Sequence, residues 1–299
     1  MQVRVLGRLA AADGGILLPV EALPRRARQV LSVLAARYDR VQSKDALADA
    51  VWGGNLPGNH AAAVEHYVSL IRRTLQPGRP TAESFIVTRG SGYLLTTARV
   101  DLDLAELRRL VRLADSHAPG SADRQRARQR ILDLVTDLPF ADDEDAGWAL
   151  APRTEVRGAV LAALVELGTA ALDADPERAL RLAREAVELD GYLEPAYRIA
   201  MRAAATLGRS GEALRWYARC RDTLGADLGV SPSPETAALR TEIRAAHRPV
   251  AASAAPATRQ PPAVDPPTVN PSTSAGAVAA HPPPPPGRGD GGGCAATAV

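Results

Sequence analysis

The sequence predicts a mainly α protein: an N-terminal winged helix-turn-helix (α+β), followed by an all-α, tetratricopeptide-like helical domain. Three observations predict it. After Pro24 the apolar spacing changes from strand-like runs to a period of about 3.6 residues. Two β-branched and aromatic runs flank the turn Arg89-Gly90-Ser91-Gly92, the pattern of a hairpin. From Asp101 to about Ala246 the pattern reads helical throughout. Within it Ala179-Leu180 and Ala213-Leu214 stand 34 residues apart, the period of tetratricopeptide helix pairs.

The elements follow in order. Gln2 to Ala10 reads as a strand, Asp13-Gly14-Gly15 as a turn and Ile16 to Val20 as a second strand. Val30, Leu31, Leu34 and Tyr38 share one face of a helix over 25–38. Ser43 is a natural N-cap for a second helix, which Gly53-Gly54 stops. A third helix spans about His60 to Leu75 and ends before Pro77-Gly78. Phe85 to Thr88 and Tyr93 to Thr96 form the hairpin. Later helices are expected near 153–173, 177–189, 195–207 and 211–224, with a short one from Pro234.

Domain boundaries are expected at 1–98, 99–248 and 249–299. The last segment holds 12 of the 24 prolines, the run Pro282–Pro286 and no aromatic residue. Such a composition buries too little apolar surface to offset its ordering entropy, so disorder is expected.

Charge is distributed unevenly. The formal net charge is +2, yet residues 1–99 carry 13 basic against 7 acidic residues and residues 100–248 carry 21 against 25. A basic front and a mildly acidic middle suggest two modules with different partners. Cys220 and Cys294 build no disulfide framework or zinc spacing, which suits a reducing compartment. Arg4 and Arg8 interrupt the first apolar run, unlike a secretory signal. A soluble, cytoplasmic protein without membrane contact is expected.

The third helix carries the chemistry. Val64, Tyr67, Val68, Ile71 and Leu75 form an apolar stripe, and the opposite face presents His66, Ser69, Arg73 and Gln76, with Arg72 at the stripe's edge. Hydrogen-bonding side chains on a free helix face can read base edges in the major groove. Arg73 suits a bidentate bond to guanine, Arg72 a phosphate, and Arg89 at the hairpin tip an adjacent minor groove. An arginine pair at a helix C-terminus also complements the helix dipole, so that pair alone does not establish DNA binding.

Elsewhere no P-loop, G-x-S-x-G or H-E-x-x-H motif occurs, and no cofactor or metal is expected. The acidic run Asp142-Asp143-Glu144-Asp145 is read as a solvated loop rather than a metal site. Trp148, Trp216 and Tyr217 fall among apolar helical positions and are expected in the core.

Residues 1–97 resemble the OmpR-type winged-helix DNA-binding domain. The matching pieces are Lys44-Asp45-Ala46-Leu47, Val51-Trp52-Gly53, Tyr67-Val68-Ser69-Leu70-Ile71-Arg72-Arg73 and Arg89-Gly90-Ser91-Gly92-Tyr93. Residues 100–246 resemble the bacterial transcriptional activator domain through Val100-Asp101-Leu102, Glu194-Pro195, the stretch Leu207 to Leu214 and the stretch Leu228 to Glu235. Together, in this order, they resemble the Streptomyces antibiotic regulatory protein family. The resemblance implies a transcriptional activator of antibiotic-type gene clusters, dimeric on direct repeats of double-stranded promoter DNA and recruiting RNA polymerase. It implies base reading by the third helix (His66, Ser69, Leu70 and Arg73), phosphate contacts at Trp52 and Arg72, and Arg89 in the minor groove.

One departure stands out. Related recognition helices often read Ser-Arg-Leu-Arg-Arg, and here Leu70 occupies the position of a frequent base-contacting arginine. Either Leu70 meets a thymine methyl, or His66 and Arg73 carry the reading. Three other readings stay open: a repressor, a helical-repeat adaptor whose front domain docks protein, and an enzyme with an unrecognised site in the helical module.

Overall fold

The computed structural model describes residues 1–246; the expected tail at 249–299, with Cys294, lies outside the described residues. The chain opens with β1 (Gln2–Arg4), β2 (Ala10–Asp13) and β3 (Ile16–Leu17). Next come α1 (Arg25–Ala36), a short β4 (Gln42–Ser43), α2 (Lys44–Trp52) and α3 (His60–Leu75). The hairpin is β5 (Ile86–Arg89) and β6 (Gly92–Leu95). A further strand, β7 (Asp101–Leu102), precedes the helices α4 (Asp103–Ser116), α5 (Ala122–Leu134) and α6 (Leu150–Ala171). The chain continues through α7 (Pro176–Leu189), α8 (Glu194–Thr206), α9 (Ser210–Leu228) and α10 (Pro234–Ala246). The architecture is a winged helix-turn-helix joined to a helical module.

Local chemistry sets the helix starts. The Ser43 hydroxyl accepts the Ala46 N–H at 3.0 Å, and the Asn59 side chain accepts the Ala62 N–H at 3.1 Å. Asp175 caps α7 in the same way, with Pro176 in the first turn where its missing N–H costs nothing.

Two sheets form. One is four-stranded in the order β3-β2-β1-β7, with β7 parallel to β1 and the other pairs antiparallel. The other is three-stranded in the order β4-β6-β5 and carries the wing. Two sequence expectations change here. Asp101-Leu102 is a strand and not the start of a helix, because its backbone completes the N-terminal sheet. And β1 ends at Arg4 instead of continuing to Ala10, because the backbone beyond it bonds elsewhere.

Those bonds go to the helical module. The Val5 and Leu6 N–H groups donate to the Asp103 carboxylate at the start of α4, at 2.9 Å each for the closest oxygen. Val5 and Gly7 carbonyls accept the N–H groups of Phe140 and Ala141 at 2.8 and 3.0 Å. Leu9 N–H and Arg8 Nε both donate to Asp142, and Gln29 of α1 donates to buried Asp143 at 2.9 Å. The acidic run expected as a solvated loop is therefore half clamp: Asp142 and Asp143 bind the front module, and only Glu144 and Asp145 are exposed. Arg153 fixes the clamp from below by donating to the carbonyls of Pro139, Phe140, Asp143 and Glu144 at 2.6–3.1 Å. Phe140 takes a left-handed φ of 56°, a strain of about 1–3 kcal/mol that its burial against Trp148 sustains.

Packing follows the same connection. One core runs from Val3, Val30, Leu34, Leu47, Val68 and Ile71 through Leu104, Leu107, Ile131, Phe140 and Val156 without interruption. The break in sequence pattern at 98/99 is thus not a break in packing. A second core lies among α6 to α10 and includes Leu164, Leu180, Tyr197, Met201, Leu239 and the expected Trp216 and Tyr217. The 22-residue α6 serves both, placing Val156 and Ala163 in the first and Leu164 and Ala171 in the second. Among the described residues no helix is long and apolar enough to cross a membrane, and no group of His, Cys, Asp and Glu gathers as metal ligands.

Two predictions follow from this packing. Asp103→Ala removes the acceptor of three backbone N–H groups, those of Val5, Leu6 and Leu104, at roughly 1–3 kcal/mol for each left buried and unpaired. It is expected to lower the urea midpoint by the equivalent of about 2–4 kcal/mol with an unchanged slope. The second concerns acid. Arg124 and Arg128 both grip Glu166 at 2.7–3.1 Å and hold its carboxyl down to about 2. With the folded value below an unfolded value of about 4.3, this bridge stabilises fully above about pH 5 and is lost as pH falls toward 2. Glu166→Gln is expected to be less stable at pH 7 and to show a flatter fall in thermal midpoint between pH 5 and 3.

Candidate nucleic-acid interface

The helix-turn-helix is held by short cross-links. Lys44 pairs with Glu65, and Asp45 lies 2.8 Å from the His60 ring, so the first turn of α2 is tied to α3 at two points. From this base α3 buries Val64, Val68, Ile71 and Leu75 and turns His66, Ser69 and Arg73 outward. Those three are exposed, and among the described residues none has an intramolecular hydrogen-bond or ion-pair partner. Arg89, at the wing tip, is equally exposed and unpartnered among the described residues.

The remaining expected site residues sit differently. Gln76 is not on the free face. It is 6% exposed, and its side-chain carbonyl accepts the Ser84 hydroxyl at 2.9 Å and the Phe85 N–H at 3.2 Å. It fastens the end of α3 to the strand that leads into the wing. Leu70 is half-buried and packs against the first core, which leaves it on the flank of the exposed trio.

Arg72 is committed to the wing. Its Nη2 donates to the Ile86 carbonyl at 2.7 Å and to the Thr88 hydroxyl at 3.1 Å, with Nε at 3.3 Å from the same carbonyl. Its guanidinium lies 5.7 Å from the Tyr93 ring centre, and burial lowers its pKa from a value high enough to keep the charge. The fork expected to meet a phosphate is engaged within the chain, where it sets the wing's distance from α3. Trp52 is half-buried in a stack: Arg26 lies 5.7 Å above its ring, Tyr67 is 6.0 Å away, and His66 is 5.7 Å from Tyr67. The stack orients His66 through Tyr67, a link that sequence spacing does not reveal.

The wing is also pinned from the other side. At Gly92 a Cβ would come within 2.3 Å of the Gln42 carbonyl oxygen, so β4 and β6 approach closely only because that residue is glycine. Gly90, with φ +56°, turns the hairpin and leaves Arg89 at its tip. The exposed surface is therefore a polar helix face plus one arginine on a rigid arm. That arrangement can enter a major groove and reach the neighbouring minor groove.

Comparison with known proteins identifies both modules. Residues 20–95 match the family model described as transcriptional regulatory protein, C terminal, and residues 102–244 match the bacterial transcriptional activator domain. The chain is 31% identical to the regulatory protein AfsR of Streptomyces griseus over 81% of its own length, and it spans 24% of that much longer relative. It is 30% identical to the regulatory protein DnrI of Streptomyces peucetius, covering 78% of this chain and 88% of DnrI. Among solved structures, Mycobacterium tuberculosis EmbR, determined with a low-affinity phosphopeptide, superposes with a TM-score of 0.69. At 23% identity, over 82% of this chain and 65% of that one, this is a likeness of fold.

The three arginines should separate in a stability measurement. Arg72→Ala removes charge-assisted bonds to a buried carbonyl, worth about 2 kcal/mol, and should lower the melting midpoint by roughly 4–8 °C. Arg73→Ala and Arg89→Ala should stay within about 0.5 kcal/mol of the parent, as surface changes do. Thermal unfolding followed by circular dichroism checks the contrast.

Proposed function

The chain belongs to the Streptomyces antibiotic regulatory protein family, and on that premise we propose that it is a sequence-specific DNA-binding transcriptional activator of a secondary-metabolite gene cluster. The observation that carries this is the unpartnered set His66, Ser69, Arg73 and Arg89, displayed on a helix and wing that Arg72, Gln76 and Gly92 hold in fixed relation. Arg73 bonds guanine, Ser69 and His66 read neighbouring base edges, and Arg89 occupies the minor groove. Trp52 meets a phosphate through its indole N–H. Arg72 supports phosphate contact mainly through the wing it braces. Leu70 contributes a methyl contact at the flank of the reading face.

The protein works in the cytoplasm as a homodimer on direct repeats beside the promoter. Its helical module recruits RNA polymerase, and it needs no cofactor or metal. Activation rather than repression is carried by the family relationship.

The test is fluorescence anisotropy of the full-length protein on its own upstream DNA, against a shuffled sequence, over a salt series. Specific DNA is expected to win, with a log–log salt slope of about −4 to −7 per monomer for roughly 5–8 phosphate contacts. Arg89→Ala should weaken binding clearly while leaving the fold intact. A slope near zero with no preference between the two DNAs would make the winged helix a protein-docking fold instead.

A further inference from the structure

A groove of about 670 Å³ opens on the helical module, away from the reading helix in sequence. Its walls are the segment 135–139, the first half of α6 and the C-terminal end of α7. Apolar side chains dominate it. Leu150 is 63% exposed, Leu138 41% and Leu189 37%, with Val135 and Val160 half-buried beneath them. Three leucines left open around one concavity, with polar groups at its rim, are the mark of an interaction site.

The rim charges are specific. Asp137, Glu185 and Glu188 line the groove, and among the described residues none of the three is in an ion pair. The two arginines present are already used: Arg153 holds four backbone carbonyls, and Arg157 donates to the Leu189 carbonyl at the end of α7. Glu185 and Glu188 also sit near the C-terminus of α7, where Arg157 is held by the Leu189 carbonyl and, among the described residues, is in no ion pair with either carboxylate. A helix C-terminus favours cations, so these two carboxylates are placed against the local preference and would gain from a positive charge brought to the rim.

We propose that this groove seats a basic amphipathic helix of a partner protein, its apolar face on Leu138, Leu150 and Leu189 and its Lys or Arg side chains against Asp137, Glu185 and Glu188. A helix fits better than an extended segment. The groove is bounded by helices and a loop and presents no strand edge, so an extended peptide would leave its backbone groups unpaired over leucines. The proposal rests on the reading of the chain as an activator that holds RNA polymerase, and it assigns the polymerase-facing surface to this groove.

The experiment uses the full chain, its promoter DNA and purified RNA polymerase holoenzyme. Leu150→Glu and the double variant Glu185→Lys/Glu188→Lys change exposed positions, and the lysines favour the end of α7, so both should melt with the parent. Both are expected to bind promoter DNA within about two-fold of the parent and to lower run-off transcription about ten-fold. Unchanged transcription from both variants overturns the proposal. Absence of DNA binding by the parent instead overturns the activator reading, and the groove is then judged by cross-linking alone. With a photoreactive benzoylphenylalanine at position 150 and no DNA, a cross-link to an amphipathic, Lys/Arg-bearing helix of the polymerase, lost in the lysine variant, supports the groove. A cross-link only to a second copy of this chain, or none, sinks it.

Discussion

Residues 5–9 are the point on which the structure turns. They follow β1, and their backbone groups bond to Asp103, Phe140, Ala141 and Asp142 rather than to another strand of the front module. Val5, Leu6 and Leu9 are buried at the same place, so water cannot substitute for those partners. With β7 adding a parallel strand beside β1, the winged helix reaches its complete hydrogen-bonding state only when the chain beyond residue 98 is folded against it. The continuous core from Val3 to Ala163 is the packing expression of that dependence.

The same logic, a polar group used to fix geometry, operates at the reading face. A helix and a hairpin that must fit one DNA duplex need a constant separation. Here it is set by a guanidinium donating to a buried strand carbonyl and by a buried amide accepting from Ser84 and Phe85, the two residues before that strand. Such bonds in a partly dry setting are stronger than solvent-exposed ones, and each leaves a costly orphan if broken. On the proposed reading, Arg72 and Gln76 hold still what Arg73 and Arg89 present.

The sequence makes the helices legible because their apolar stripes and caps are local. Ser43, Asn59 and Gly92 act within a few residues or on a strand neighbour, and α3 falls at its expected bounds. What escaped is non-local. Nothing within Asp101-Leu102 says that it will pair with residues 2 and 3, since the strand is two residues long and its partner is almost 100 positions away. Helical-wheel arithmetic placed Gln76 outward because the wheel knows the helix but not the strand that comes to lie beside its last turn. Asp142 and Asp143 read as solvated because charge in sequence says nothing of which backbone amides will need an acceptor. The exposure of the α3 trio is legible for the opposite reason, since a position on the free face of a helix needs no distant partner to define it.

Net charge is a poor guide to such a surface, and the front module explains why. Many of its cations are committed internally: Lys44 to Glu65, Arg26 to Val51 and Gln29, Arg37 to Gln42, Arg79 to Asp13 and Arg99 to two carbonyls. Arg8 faces Asp142 and Arg72 the wing. A cation paired with a carboxylate, as Lys44, Arg79 and Arg8 are, gains little on meeting a phosphate because its field is cancelled nearby, while one bonded to carbonyls keeps its charge but has its donors occupied. On the proposed function, affinity for a polyanion rests on the uncommitted arginines, of which Arg73 stands on α3 and Arg89 on the wing. The basic excess of the first 99 residues therefore overstates the structural cations and understates the placement of the few that remain free. Across the chain the acidic residues follow the same division, some clamping the two modules together and others left open beside an apolar groove. In both modules the informative charge is the one without a partner.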